Sequence, residues 1–219
     1  QDQSAKAEEA APQAKPKISE TTEDKKVSVD APAREARAIR VVTPLYEAVI
    51  FEKGAALKSM ILNEYRETSD KDSPLLEMIP AEADLGAVQM AFEKSTIKNL
   101  EEKVFSANVA SETINVQSAG KEIIFSYTSR QGIIIEKKYA FYPDTYLIEM
   151  TVTVNNTTNA PFEDQLVFAL ADTAEEETGG YGFQGPSGLI DNNLVEVKLK
   201  KLEEKNRFSG NVKWIANQN

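Results

Sequence analysis

The chain of 219 residues has no cysteine, no histidine, a single tryptophan and few basic residues for its acidity. Each shortage removes a class of function. Without cysteine there is no disulfide framework, thiol nucleophile or thiolate zinc site, and without histidine the commonest neutral-pH acid/base group and metal ligand is missing. Enzymes built around histidine are excluded, and the residues nominate no cofactor. The longest apolar runs, such as Ile133-Ile134-Ile135 and Val167-Phe168-Ala169-Leu170, fall far below the roughly 18 residues of a membrane-spanning helix. The 25 Lys+Arg against 35 Asp+Glu leave a net charge of −10. Such a surface repels nucleic-acid phosphates and anionic lipid headgroups alike unless a local basic patch offsets it, and none stands out along the sequence. No nucleic-acid partner is expected. The chain opens on Gln1 without the basic-then-apolar pattern of a signal peptide, which suits a mature chain or an excised fragment.

What is present divides the chain in two. Residues 1–37 are rich in Ala, Lys, Glu, Gln and Pro and nearly devoid of large apolar side chains, so they cannot offset their ordering entropy and read as a disordered polar linker. From 38 to 219 short apolar segments alternate with turn residues, mostly at a period of two. The clearest is the run in which Tyr146, Ile148, Met150, Val152 and Val154 point one way and Leu147, Glu149, Thr151 and Thr153 the other. It is a strand with one buried face. The turn-rich Asn155-Asn156-Thr157-Thr158-Asn159-Ala160-Pro161 ends it, and Phe162, Leu166, Phe168 and Leu170 resume the alternation, predicting a hairpin or meander. Residues 113–117, 123–128 and 133–141 repeat the theme. Turns this close leave no room for crossover helices, so an antiparallel all-β domain of sandwich or barrel type is expected over 38–219. Two segments are ambiguous. Leu57, Met60, Ile61 and Tyr65 fall at helical spacing, and residues 194–202 suit either a strand or an exposed helix.

Candidate chemistry is sparse. The acidic run Asp172, Glu175, Glu176 and Glu177 has no metal-loop spacing and reads as a solvated loop, with a weak cation site as the alternative. Gly179, Gly180, Gly182, Gly185 and Gly188 resemble a phosphate cradle only superficially, and Pro186 with the acidic neighbours argues for an irregular loop. The triplets at Asn155 and Asn156 read as a turn rather than glycosylation sites. Nothing selects a carboxylate pair, so no catalytic residue is named. Trp214, in Val212-Lys213-Trp214-Ile215, has core packing as its ordinary role and an interfacial anchor as the alternative, since an amphipathic ring beside Lys213 suits a membrane–water boundary.

Four stretches in order resemble the large periplasmic domain of the YidC membrane protein insertase family. They are Val41-Val42-Thr43-Pro44-Leu45-Tyr46 running on through Gly54 to Leu57; Lys137-Lys138-Tyr139-Ala140-Phe141-Tyr142-Pro143-Asp144 with the strand after it; Gly182-Phe183-Gln184-Gly185-Pro186; and Ser209-Gly210-Asn211-Val212-Lys213-Trp214-Ile215-Ala216. The last is similar to a Gly-Trp segment that leads the family back to the membrane, although Asn211-Val212-Lys213 intervenes here. The resemblance implies a twisted antiparallel β super-sandwich, galactose-mutarotase-like, with one or two short helices near the C-terminal end, and it turns residues 54–65 toward strand. It also implies a non-catalytic domain on the periplasmic side of the bacterial inner membrane, tethered by transmembrane segments absent from this chain. The implied partners are the remainder of the same polypeptide, with its transmembrane insertase core, the Sec translocon accessory subunits SecD/SecF, and nascent membrane proteins; the domain itself is expected to be monomeric. Val212, Lys213, Trp214 and Ile215 are the candidate partner-facing or membrane-proximal segment. The rival is a periplasmic carbohydrate-binding or mutarotase-like module. Mutarotase chemistry uses histidine, which this chain lacks, but sugar stacking needs only aromatics, and there are seven Tyr, nine Phe and one Trp.

Overall fold

The computed structural model describes residues 34–94, 96–170, 183 and 185–218. The body of the expected linker, residues 1–33, lies outside them. The first sheet is built from β1 (Ala38–Val42), β2 (Tyr46–Phe51), β3 (Ala56–Arg66), β4 (Leu75–Glu77) and, further along the chain, β7 (Thr113–Asn115), in the order β4-β3-β2-β1-β7. Between these lie β5 (Val88–Phe92) and β6 (Ser106–Ala107). The second sheet adds β8 (Lys121–Thr128), β9 (Ile133–Phe141) and β10 (Ile148–Asn156), in the order β10-β9-β8-β6. Inward side chains of both sheets, among them Ile39, Val41, Tyr46, Ala48 and Ile50 from one and Ile123, Phe125, Ile135, Tyr139 and Phe141 from the other, form one buried cluster. Face-to-face packing of this kind is what alternating strands require, because a sheet with one apolar face must bury it against another layer.

The all-β expectation holds, with particulars that the alternation does not specify. The helical spacing of Leu57, Met60 and Tyr65 belongs to a strand. Across the β2–β3 pair, Val49 faces Ser59 but Ile50 faces Leu57, so Lys58 is an extra, bulged residue. A bulge shifts the side-chain alternation by one, and that puts Leu57, Met60 and Leu62 together against the core. The expected hairpin between residues 146–154 and 166–170 does not form. Strand β11 (Leu166–Leu170) leaves β10 and pairs antiparallel with β5, seating Leu166 opposite Phe92. Its reason lies in the core: Phe162, just before β11, meets Phe92 edge to face at a centroid distance of 5.3 Å, a favoured aromatic geometry. Nor is the pairing antiparallel throughout, since β7 runs parallel to β1.

A three-stranded sheet completes the described residues, with β13 (Asn193–Glu196) and β14 (Val212–Gln218) on either side of β12 (Gly185–Ile190). The glycine-rich stretch is therefore a strand from Gly185 onward rather than an irregular loop, and Gly179, Gly180 and Gly182 lie outside the described residues. Gly185 adopts φ +132° where a Cβ would collide with the Val197 carbonyl oxygen, so only glycine fits there. Residues 194–202 divide between the two readings: the first part is β13, and Leu199–Lys201 is a 3-10 turn. A second such turn, Leu100–Glu102, lies mid-chain. The short helices expected near the C-terminal end are thus reduced to one 3-10 turn, and no α-helix occurs among the described residues.

Candidate functional site

Two features could do something, one buried and one exposed. The buried one begins with a turn. Between β2 and β3, Gly54 and Ala55 both have positive φ, at 69° and 45°, and a Cβ on Gly54 would sit against the Glu101 carbonyl oxygen. Strand β9 holds this turn from the facing sheet: the Lys137 Nζ donates to the Gly54 carbonyl at 2.8 Å and the Tyr139 hydroxyl donates to the Ala55 carbonyl at 2.7 Å. Lys137 also lies over the Phe105 ring, 5.9 Å from its centroid. It is 2% exposed, and burial lowers its pKa to about 8.

Beside the turn, the carboxylate of Glu52 is 0% exposed. It accepts hydrogen bonds from the Arg37 side chain at 2.8 Å, the Arg37 backbone N–H at 2.9 Å and the Ala107 N–H at 3.2 Å, and pairs with Arg34 at 2.8 Å. Burial pushes its pKa up, but the bonds from Arg37, Arg34 and Ala107 outweigh it and hold the carboxyl at about 2. Residues 34–37, read from composition as the end of the linker, are thus tied into the domain. These contacts are saturated and face inward, so they serve stability. Among the described residues no group of three or more acidic side chains could hold a metal ion.

The exposed feature lies at the other end of the chain. Strands β11 and β14 flank a groove of about 880 Å³, lined by Leu166, Phe168, Leu202, Phe208, Val212 and Ile215, with the Arg207–Glu93 ion pair at 2.7 Å among its lining residues. Val212 and Ile215 of the candidate segment face this groove; Trp214 does not. The register explains the split: Ile190 pairs with Val212 but Leu189 with Trp214, so Lys213 is bulged and Trp214 falls on the opposite face. Trp214 is 44% exposed. Its expected core role is overturned, because the bulge turns the ring to the face opposite Val212 and Ile215, where it stays exposed. Trp214→Ala is accordingly expected to lower the unfolding free energy by less than about 1 kcal/mol; a urea midpoint showing a loss of several kcal/mol would restore the core assignment.

The sequence reading of an absent basic patch also needs correction. Between Leu194 and Trp214 stand six Lys/Arg and three Glu, a locally positive stretch on an acidic chain. Arg207 is engaged by Glu93, whereas Lys198, Lys200, Lys201, Lys205 and Lys213 are exposed and have no ion pair among the described residues. Other candidates recede. Asp172, Glu175, Glu176 and Glu177 lie outside the described residues. Asn156 caps a turn, accepting from the Thr158 N–H at 3.0 Å and donating to the Ala160 carbonyl at 2.7 Å. The signal that would have found Glu52 and Lys137 is phase: Glu52 continues the buried series Tyr46, Ala48, Ile50, and Lys137 sits in step with Ile133, Ile135, Tyr139 and Phe141.

The fold and its surfaces define an all-β domain that ties its own sheets together through buried polar contacts and exposes an apolar, basic-flanked region near its last strand. The family profile described as the YidC periplasmic domain matches residues 38–219, and the chain belongs to that family. It is 30% identical over 190 residues to the membrane protein insertase YidC of Syntrophus aciditrophicus, covering 85% of this chain and 35% of that protein. The corresponding protein of Pelobacter propionicus is 28% identical over 194 residues, with the same coverage of 85% and 35%. That of Maridesulfovibrio salexigens is 30% identical over 133 residues, covering 61% of this chain and 24% of that protein. The chain therefore spans about a third of the length of the first two relatives. No helix among the described residues is long and apolar enough to cross a membrane.

Proposed function

We propose that this chain is the periplasmic domain of an inner-membrane protein insertase and that it acts without catalysis, by position and contact. The observation that carries the reading is the family match over residues 38–219, the whole of the expected folded unit. Its partners are then the transmembrane core of the same polypeptide, the Sec accessory subunits SecD/SecF and nascent membrane proteins, and Val212, Lys213, Trp214 and Ile215 form its membrane-proximal segment. The locally basic, apolar character of that segment supports the placement. The relatives described above are all insertases, and none points to a carbohydrate-binding module.

The test is site-specific photo-crosslinking in the full-length protein. A photoreactive residue at Val212 or Lys213 is expected to give adducts with the membrane-embedded part, the Sec subunits or lipid. Soluble periplasmic adducts alone, together with glycan binding by the isolated chain, would replace the reading with the sugar-binding one. A second expectation concerns the free chain: at net charge −10 it stays monomeric and does not pellet with anionic vesicles at physiological salt. Sedimentation with vesicles, or a dimer in analytical ultracentrifugation, would contradict it.

A further inference from the structure

The register of the three-stranded sheet places Leu194 opposite Leu189 and Leu189 opposite Trp214. Residues directly opposite in neighbouring strands share a face and touch, so these three make one apolar row running across the sheet, on the face away from the groove. Its ends are open, with Leu194 61% and Trp214 44% exposed. The row is small for an exposed apolar patch, so its charged surroundings decide what it meets. Lys213 bulges out beside Trp214. At the other end of the sheet the Val197 N–H donates to the Pro186 carbonyl at 2.9 Å, so Lys198, Lys200 and Lys201 leave the sheet there, exposed. Asp191, in the turn between β12 and β13, is occupied in accepting the Asn211 N–H at 2.9 Å. Glu196, opposite Ser187, is the acidic side chain that shares the row's face.

A tryptophan and leucines flanked by lysines that make no ion pair among the described residues match the chemistry of the lipid headgroup boundary, where an amphipathic ring and snorkelling cations are both satisfied. A row only three side chains wide falls short of the roughly 800 Å² per partner of a stable protein interface. We propose that the face bearing Leu194, Leu189 and Trp214 rests on the lipid headgroup layer, with Lys213 and the lysines of residues 198–205 at its margin. The inference rests on the reading of the chain as part of a membrane-anchored insertase. The rest of the chain is strongly acidic, so docking is weak and depends on anchorage: the contact forms when the chain is held at the bilayer and not when it is free.

The sole tryptophan makes the contact directly readable. Residues 38–219 carry their own core, so the 219-residue chain is anchored by an N-terminal polyhistidine tag to vesicles of phosphatidylcholine, phosphatidylglycerol and a nickel-chelating lipid. Trp214 emission is expected to shift to shorter wavelength and to be quenched by lipid brominated near the glycerol. Leu194→Glu abolishes both effects, and Lys213→Gln lowers the docked fraction about fivefold. Emission and acrylamide accessibility equal to those of the unanchored chain would overturn the proposal. So would crosslinks from Leu194 in the full-length protein that reach only protein. An anchored chain that stays undocked, while the full-length protein still crosslinks to its membrane core from Val212, removes this inference alone; loss of both removes the insertase reading as well.

Discussion

Glu52→Ala is expected to lower the unfolding free energy by about 3 kcal/mol, because it breaks a buried ion pair and leaves backbone donors unpaired. The carboxylate is fully buried and engages Arg34, Arg37 and two backbone N–H groups. Arg34 and Arg37 retain some solvent access, so they recover part of their hydration in the variant. The N–H groups of Arg37 and Ala107 lose their acceptor. The same site sets an acid limit. Glu52 falls from 4.5 to about 2 on folding, so its stabilisation is complete above about pH 4.5 and drains away as the pH falls toward 2. Urea unfolding followed by far-UV circular dichroism between pH 7 and pH 2 should show this decline in the wild type and a shallower one in Glu52→Ala, where Asp164, whose carboxyl also falls to about 2 on folding, still contributes. A variant within about 0.5 kcal/mol of wild type at pH 7 would mean that water replaces the carboxylate.

Lys137→Met should act in the opposite direction, raising the unfolding free energy by about 2 kcal/mol at pH 7. Burial depresses the lysine from 10.5 to about 8, so the charged form is held against a penalty of about 3 kcal/mol, of which the bond to the Gly54 carbonyl returns about 1. Methionine fills a similar volume without the charge. The pH dependence separates this cause from simple repacking. Between about pH 8 and 9.5 the unfolded chain holds the proton that the folded chain has released, so the wild type gains stability as pH rises and approaches the variant. Above about pH 10 the buried hydroxyls of Tyr46 and Tyr139, both pushed up by burial, reverse the trend in both proteins. Parallel stability curves for wild type and variant from pH 7 to 9.5 would rule the account out.

Much of this fold was legible because alternation reports burial directly. Strand β10 has Ile148, Met150 and Val152 inward as its pattern predicts, whereas Val154, expected on the same buried face, is exposed, and β8 joins β9 through the expected turn. Alternation does not name a partner, however. Nothing in Leu166, Phe168 and Leu170 says that they belong beside Val88–Phe92, since that pairing is decided by Phe162 meeting Phe92 across the core. A bulge hides a strand by shifting its phase, as Lys58 does in β3. It also hides a surface, as Lys213 does by turning Trp214 away from Val212 and Ile215. The polar ties were missed for a different reason. Lys137 and Lys138 look alike in composition, yet neighbours on a strand face opposite ways, and only Lys137 reaches the Gly54 turn. In the family resemblance the Gly turn and the basic-aromatic strand were separate marks; in the structure they touch.

The pairing of β5 with β11 has a consequence for the order in which the chain acquires structure. Strand β5 is made early in synthesis, but its partner follows only after β6, β7, β8, β9 and β10. Contacts this distant in sequence slow folding, because the loop must be closed before any pairing rewards it. A chain delivered in sequence order therefore holds Val88–Phe92 with its backbone donors and acceptors unmatched until Leu166–Leu170 follows. During that interval β5 can capture a stray strand, and the time taken to deliver residues 93–165 sets how long the hazard lasts.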